Sequence, residues 1–217
     1  MTRDVLSTLD SMISERSLLK HPFYQAWTAG TLTMERLHNY AIEYYPHVAA
    51  FPRYLSAILS RCADIATRQS LLENLIEEER GADNHPELWL RFAEAIGVPR
   101  ERVLDATPSP ASASLVRAFT QLAESDHVAG GLAALYAYES QIPAVATAKI
   151  DGLKRFYRIT DDRGLAFFTV HEKADVWHAR TGADLLARHC TTDRDRDLAI
   201  DAGASALDAL WSLLDAC

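Results

Sequence analysis

The segment FTVHEKADVWHAR carries His171, Asp175 and His178 at spacings of four and three. At about 100° per residue a helix places all three within one narrow stripe. Neutral imidazole and carboxylate suit iron, manganese or zinc, so one stripe can aim three ligands at one centre; a polar helical face is the plainer reading. A second segment, EEERGADNHPELW, offers Glu78 and His85 seven residues apart, which on a helix is about 700° and within about 20° of two full turns. Glu77 and Glu79 align with His85 less well. A triple-Glu run is usually a solvated face, and Pro86 disturbs a helix, so this pair alone makes no site. Glu139 is more constrained, because its neighbours in LAALYAYESQIPAVATA are almost all apolar or aromatic. A helix there is buried nearly all round, and its lone acid must be protonated, paired with a base or bound to metal.

Taken jointly these segments supply three histidines and three carboxylates, a dinuclear inventory. Two divalent ions would bring four positive charges against three negative ones, leaving open positions for dioxygen. The pattern is not the paired Glu-x-x-His of ferritins. A hydrolytic two-metal site is the alternative, but a buried helical core rich in tyrosine suits redox chemistry better.

Helices must position these residues. Of 217 residues, 48% are hydrophobic and 24% charged, enough for one or at most two globular domains. Apolar residues recur at three and four, and no segment alternates as a strand would. Leu6, Leu9, Met12, Ile13 and Leu18 mark a first helix, and a short second one lies between His21 and Gly30. A long helix begins near Met34 and runs towards Ile58, with Pro46 and Pro52 expected to kink it. A fourth stretch spans about Ala66 to Ile96, interrupted near Gly81 to Pro86, and Thr107 to Ser114 reads as a loop. Helices over Leu115 to Glu124, Val128 to Ile150, Asp161 to Arg188 and Arg194 to Leu214 complete the chain. The expectation is an all-α fold, a single bundle of about seven to eight helices with residues 1–217 as one domain.

Lys+Arg 22 against Asp+Glu 30 gives a net charge of -8, the wrong sign for nucleic acid or an anionic membrane. No apolar run approaches the roughly 20 residues that span a bilayer, and MTRDVLSTLD does not read as a secretory signal. With three scattered cysteines, Cys62, Cys190 and Cys217, a cytoplasmic location is expected. Cys62 has no identifiable base beside it, and His21, His38, His47, His127 and His189 complete no ligand set. Asp83, Asp161 and Asp162 are candidates for orienting the ligand histidines.

The six candidate ligands, in that order and spacing, resemble those of the haem-oxygenase-like di-metal oxidases. HPFYQAWTAGTLTMERLHNYAIEYYPHVAAFPRYL is similar to the first helices of that superfamily, which includes thiaminase-II and pyrroloquinoline-quinone synthase proteins. Within it the chain resembles the group named after the Chlamydia protein associating with death domains, whose members supply para-aminobenzoate for folate synthesis. The resemblance implies a self-sacrificing oxygenase that works once per chain. Tyr24 would be the source of the ring and Lys149, ten residues after Glu139 on the same predicted helix, the amino donor. It further implies Glu78, His85, Glu139, His171, Asp175 and His178 as ligands of two ions (Fe/Fe or Mn/Fe), with dioxygen and an external reductant as co-substrates. Tyr40, Tyr44, Tyr45 and Tyr138 could carry an oxidising hole, with Tyr40 and Tyr138 the pair that matches tyrosines of the group. Read without the resemblance, Tyr24 is a core aromatic and Lys149 a snorkelling lysine. A homodimer and an electron donor of unknown identity are the expected partners. The competing readings are a di-iron oxidase of an external amine or fatty acid, and a non-catalytic interaction module.

Overall fold

The computed structural model describes the backbone of residues 4–217 and every side chain within it except those of residues 173–178. Its described residues form eleven α-helices and one 3-10 turn (Leu18–Lys20), with no strand. In chain order the helices are α1 (Val5–Glu15), α2 (Pro22–Ala29), α3 (Met34–Arg61), α4 (Ile65–Glu79), α5 (His85–Ala95) and α6 (Arg100–Leu104). They continue with α7 (Pro110–Ala123), α8 (Val128–Glu139), α9 (Ile142–Phe156), α10 (Asp162–His189) and α11 (Asp193–Ala216). Short polar residues start most of them. Thr33, Asp64, Asn84, Ser109 and Asp161 each accept a hydrogen bond from a first-turn N–H, and Thr192 with Asp195 forms a reciprocal capping box.

The all-helical expectation holds, but the number of helices exceeds seven to eight for local reasons. Ser109 caps α7 and Pro110 occupies its first position, so half of the expected Thr107 to Ser114 loop is helical. The stretch from Val128 to Ile150 is two helices: α8 stops at Glu139 and Pro143 falls in the first turn of α9, where its missing N–H is harmless. Lys149 and Glu139 are therefore on different helices. Glycine Gly81, at φ 79, separates α4 from α5, and the five-residue α6 has no periodicity to reveal it. Pro46 and Pro52 both lie inside one unbroken 28-residue helix.

Helix α8 is the centre of the bundle. Every residue from Ala129 to Glu139 is buried, and α11, α10, α7 and α3 pack around it. A Cβ at Gly131 would lie 2.8 Å from Ile58, so glycine there lets α8 close onto α3. On the other side of the core, a Cβ at Gly152 would meet Trp27 at 2.5 Å, so α9 can approach α2 only with glycine at that position. Trp27, Trp89, Tyr24, Tyr40 and Phe23 are among the largest fully buried side chains. Each contributes roughly 2–3 kcal/mol of burial, so the apolar mass that stabilises the bundle is gathered where α2, α3, α5 and α9 meet. Among the described residues no helix is long and apolar enough to cross a membrane.

Candidate functional site

Glu78 lies one residue from the end of α4 and His85 opens α5, and the turn between them brings their side chains together. Glu78 Oε2 is 2.7 Å from His85 Nδ1. The shared helical face expected from their spacing does not exist; the meeting is made by a left-handed Gly81 and by Asn84 capping α5. His171 reaches the same place from α10, its ring 4.4 Å from that of His85. One ligand atom from each of Glu78, His85 and His171 lies within 4.8 Å of the others, and all three residues are buried. His171 Nδ1 donates to the Phe167 carbonyl at 2.6 Å, so in the neutral ring Nε2 is the nitrogen that bears the lone pair.

Glu139, the last residue of α8, joins Glu78 and His171 in lining a cavity of about 10 Å³, together with Tyr138 and Phe167. Its Oε1 accepts from Asn74 Nδ2 at 2.8 Å. Four of the six expected ligands are thus brought together. The side chains of the other two, Asp175 and His178, lie outside the described residues. The donor set fits a metal ion such as iron: His85 Nδ1 is buried and close to a carboxylate oxygen, yet not aligned for a hydrogen bond with it. That is how two ligands converging on a third atom stand, and imidazole plus carboxylate is the chemistry iron and manganese take.

Among the described residues the orienting partners are Asn74 and the Phe167 carbonyl, and the candidate aspartates are engaged elsewhere or exposed. Asp83 pairs with Arg91 at 2.8 Å, Asp161 caps α10, and Asp162 is exposed. Sequence spacing held a signal for Asn74, since Thr67, Leu71, Asn74 and Glu78 form the buried stripe of α4.

A second cluster lies deeper in the aromatic core. Lys149 Nζ donates to Tyr40 Oη at 2.6 Å, and that oxygen is 3.2 Å from Tyr24 Oη. The amine is 5.5 Å from the centre of the Tyr24 ring and within 5.7 Å of those of Tyr40, Tyr44, Trp89 and Phe168. Trp27 Nε1 donates to the Lys149 carbonyl at 3.4 Å, tying α9 to α2 at this point. Tyr24, Tyr40 and Lys149 are all buried, and among the described residues no carboxylate reaches the amine. Burial pulls the Lys149 ammonium down to about 7, so much of it is a neutral amine at physiological pH. The same burial, reinforced by neighbouring phenols, raises Tyr24 and Tyr40 well above the ordinary tyrosine range.

Tyr44 joins the two clusters. Its ring is 5.1 Å from Tyr40, and its hydroxyl donates to Tyr138 Oη at 2.7 Å, beside Glu139. The contacts therefore run in the order Tyr24, Tyr40, Tyr44, Tyr138. Tyr45 is half-buried beside Glu87 and Arg100 and takes no part. Burial pushes the Cys62 thiol up, which keeps it from serving as a thiolate nucleophile. Most remaining histidines are structural: His21 pairs with Asp215, His38 with the Ile96 carbonyl and His189 with Thr67. His47 differs, for neither of its ring nitrogens has a partner among the described residues.

Comparison with known proteins places this geometry in context. A family described as iron-containing redox enzymes, of haem-oxygenase type, matches residues 38–211. The 4-aminobenzoate synthase of Chlamydia muridarum is 43% identical over 215 residues, covering 99% of this chain and 90% of its own. That of Nitrosomonas europaea is 41% identical over 216 residues, covering 95% and 88%. Among solved structures, a TenA homologue from Pseudomonas syringae superposes with a TM-score of 0.82 at 19% identity, covering 97% of this chain and 91% of that one, which shows the fold.

Proposed function

We propose that this chain, which belongs to the haem-oxygenase-like family of iron-containing redox enzymes, forms 4-aminobenzoate, taking the ring from its own Tyr24 and the nitrogen from Lys149. Relatives more than 40% identical along nearly the whole chain carry the name 4-aminobenzoate synthase, which supports the product. The observation that supports the source is the hydroxyl of Tyr40, touched at once by the Lys149 amine and the Tyr24 phenol.

Para-aminobenzoate from tyrosine requires three changes. The ring must part from the backbone, its benzylic carbon must become a carboxylate, and nitrogen must replace the phenol oxygen. Lys149 Nζ reaches the Tyr24 phenol through one hydroxyl, that of Tyr40, which is near where the nitrogen is needed. Its neutral fraction carries a lone pair that an ammonium lacks, and the rings around it exclude the water that would restore its charge. Glu78, His85, Glu139 and His171, with Asp175 and His178, would hold two ions, iron with iron or manganese with iron. Those ions supply, when bound, oxidising equivalents drawn from dioxygen. Tyr138 and Tyr44 would lead an electron and a proton away from Tyr40 towards the cavity where dioxygen is reduced. The Tyr40 oxygen so bared takes the Tyr24 phenolic hydrogen, electron and proton together, across 3.2 Å. A reductant from outside the chain completes the redox balance, and the reaction runs once because its substrate is part of the fold.

Peptide mass spectrometry across Tyr24 and Lys149 tests this, before and after metal-free protein is given ferrous iron, manganese, reductant and dioxygen. Loss of the Tyr24 side chain, a changed Lys149 and released 4-aminobenzoate are expected. Both residues intact while dioxygen is consumed would sink the reading and leave an oxidase of an external substrate.

A further inference from the structure

His47 is 1% exposed and bears two ring nitrogens with no partner among the described residues. Two turns further along α3, the Tyr54 hydroxyl is also buried and unpartnered. An imidazole has one N–H to give and a lone pair to receive, and leaving such groups dry carries an uncompensated desolvation cost. Phenylalanine would fill the same space without that cost, so the polar atoms need another explanation.

The surroundings supply one. The His47 ring faces Phe119 of α7 at 4.9 Å, Tyr138 of α8 at 5.1 Å, and Tyr44, Tyr54 and Phe51 of its own helix at 5.5, 5.7 and 6.0 Å. All are uncharged, and burial holds the imidazole down to about 3, so the ring stays neutral. On the Tyr54 side is an outer cavity of about 60 Å³, reaching the exposed Arg53 and Glu124. On the Tyr138 and Phe51 side is the cavity of about 10 Å³ that Glu78, Glu139 and His171 line. A water needs roughly 10–15 Å³, so the outer cavity holds several and the inner one at most.

We propose that His47 and Tyr54 form a proton relay from the outer cavity at Arg53 and Glu124 to Tyr138 at the inner one, its gaps closed by water admitted as the packing around the ring fluctuates. The imidazole binds a proton on one nitrogen as the other releases its own, and the Tyr54 oxygen does the same. Net charge is unchanged and no electron moves, so a ring that stays neutral at rest is suited to the task. The need for protons rests on the function proposed above, since reducing dioxygen consumes them. His47 and Tyr54 touch no reacting atom and are positioning residues.

The first test uses metal-free protein labelled with nitrogen-15 at histidine and reads exchange of the His47 ring N–H with water by NMR. Ring exchange faster than that of the neighbouring α3 amides is expected, slowed at least tenfold in Tyr54→Phe, which removes one oxygen and keeps the ring. A ring N–H as protected as those amides, or untouched by Tyr54→Phe, overturns the relay. This arm is blind to product, so it decides the relay even where no 4-aminobenzoate forms. In iron-loaded protein with ascorbate, Tyr54→Phe should slow dioxygen consumption several-fold and enlarge its solvent deuterium isotope effect at unchanged metal content. An unchanged rate and isotope effect would overturn the assignment of the relay to Tyr138.

Discussion

The cavity lined by Glu78, Glu139 and His171 and the aromatic chamber around Lys149 share helices α3, α5 and α10 yet treat charge in opposite ways. On α5, His85 serves the first and Trp89, four residues on, the second; on α10, His171 and Phe168 divide likewise. In the first region buried carboxylates meet an imidazole and an amide. In the second a buried amine meets aromatic rings and one phenol, and no anion among the described residues. One region is arranged to hold cations and the other to deprive an amine of its proton. A buried charge costs several kcal/mol wherever it sits, so what surrounds it decides whether it is kept or discarded.

Two substitutions should separate the regions most sharply. Glu78→Ala should strip bound metal, read by plasma mass spectrometry after loading, and abolish product while leaving Lys149 neutral. Lys149→Met should abolish product at wild-type metal content and also stabilise the fold. The pH dependence carries the sign. From about pH 7 to 10.5 the unfolded chain holds the Lys149 proton and the folded chain does not, so the contribution of Lys149 to stability rises with pH across that window and is flat below it, against the opposite slope of the buried Cys190 and Cys217 thiols. Lys149→Met removes that slope and at neutral pH gains a few kcal/mol, bounded by roughly 5. Urea denaturation of both proteins at pH 7 and pH 9 reads both quantities, and a variant whose pH dependence equals that of the wild type would break the contrast.

A smaller effect sharpens it. Asn74→Leu takes the donor from Glu139 while leaving the aromatic rings around Lys149 in place. Metal affinity should fall roughly 10–100-fold, less than for Glu78→Ala, because an orienting partner is lost and not a ligand. Competition with a chelator measures it, and an affinity equal to wild type would leave Asn74 only a packing role.

Periodicity made the bundle legible because apolar stripes must face a core whatever the connections are. Residue type made Glu139 legible, since an acid among alanines and tyrosines has few physical options. Glu78 and His85 do meet, but not on the continuous helix that their spacing suggests: a turn at Gly81 brings them together. Tyr44 was one of several tyrosines in the sequence, and only the approach of α8 to α3 selects it over Tyr45. The Phe167 carbonyl has no sequence signature, because every residue has a carbonyl and only tertiary packing tells which one a histidine meets. His47 looked ordinary for the same reason, as a missing partner is visible only when all neighbours are placed.

Tyr24 is 2% exposed and packs against Phe23 and Trp27, so it is also masonry of the core. A chain that has surrendered this ring is left with a void the size of a benzene. Emptying such a space costs about 3–5 kcal/mol, a large share of what holds a domain together. Spent molecules should therefore melt well below fresh ones in calorimetry, and equal melting would mean the gap collapses. Having reacted would then be written into the protein as fragility, marking it for proteolysis and turning its disposal into a clock started by the reaction itself.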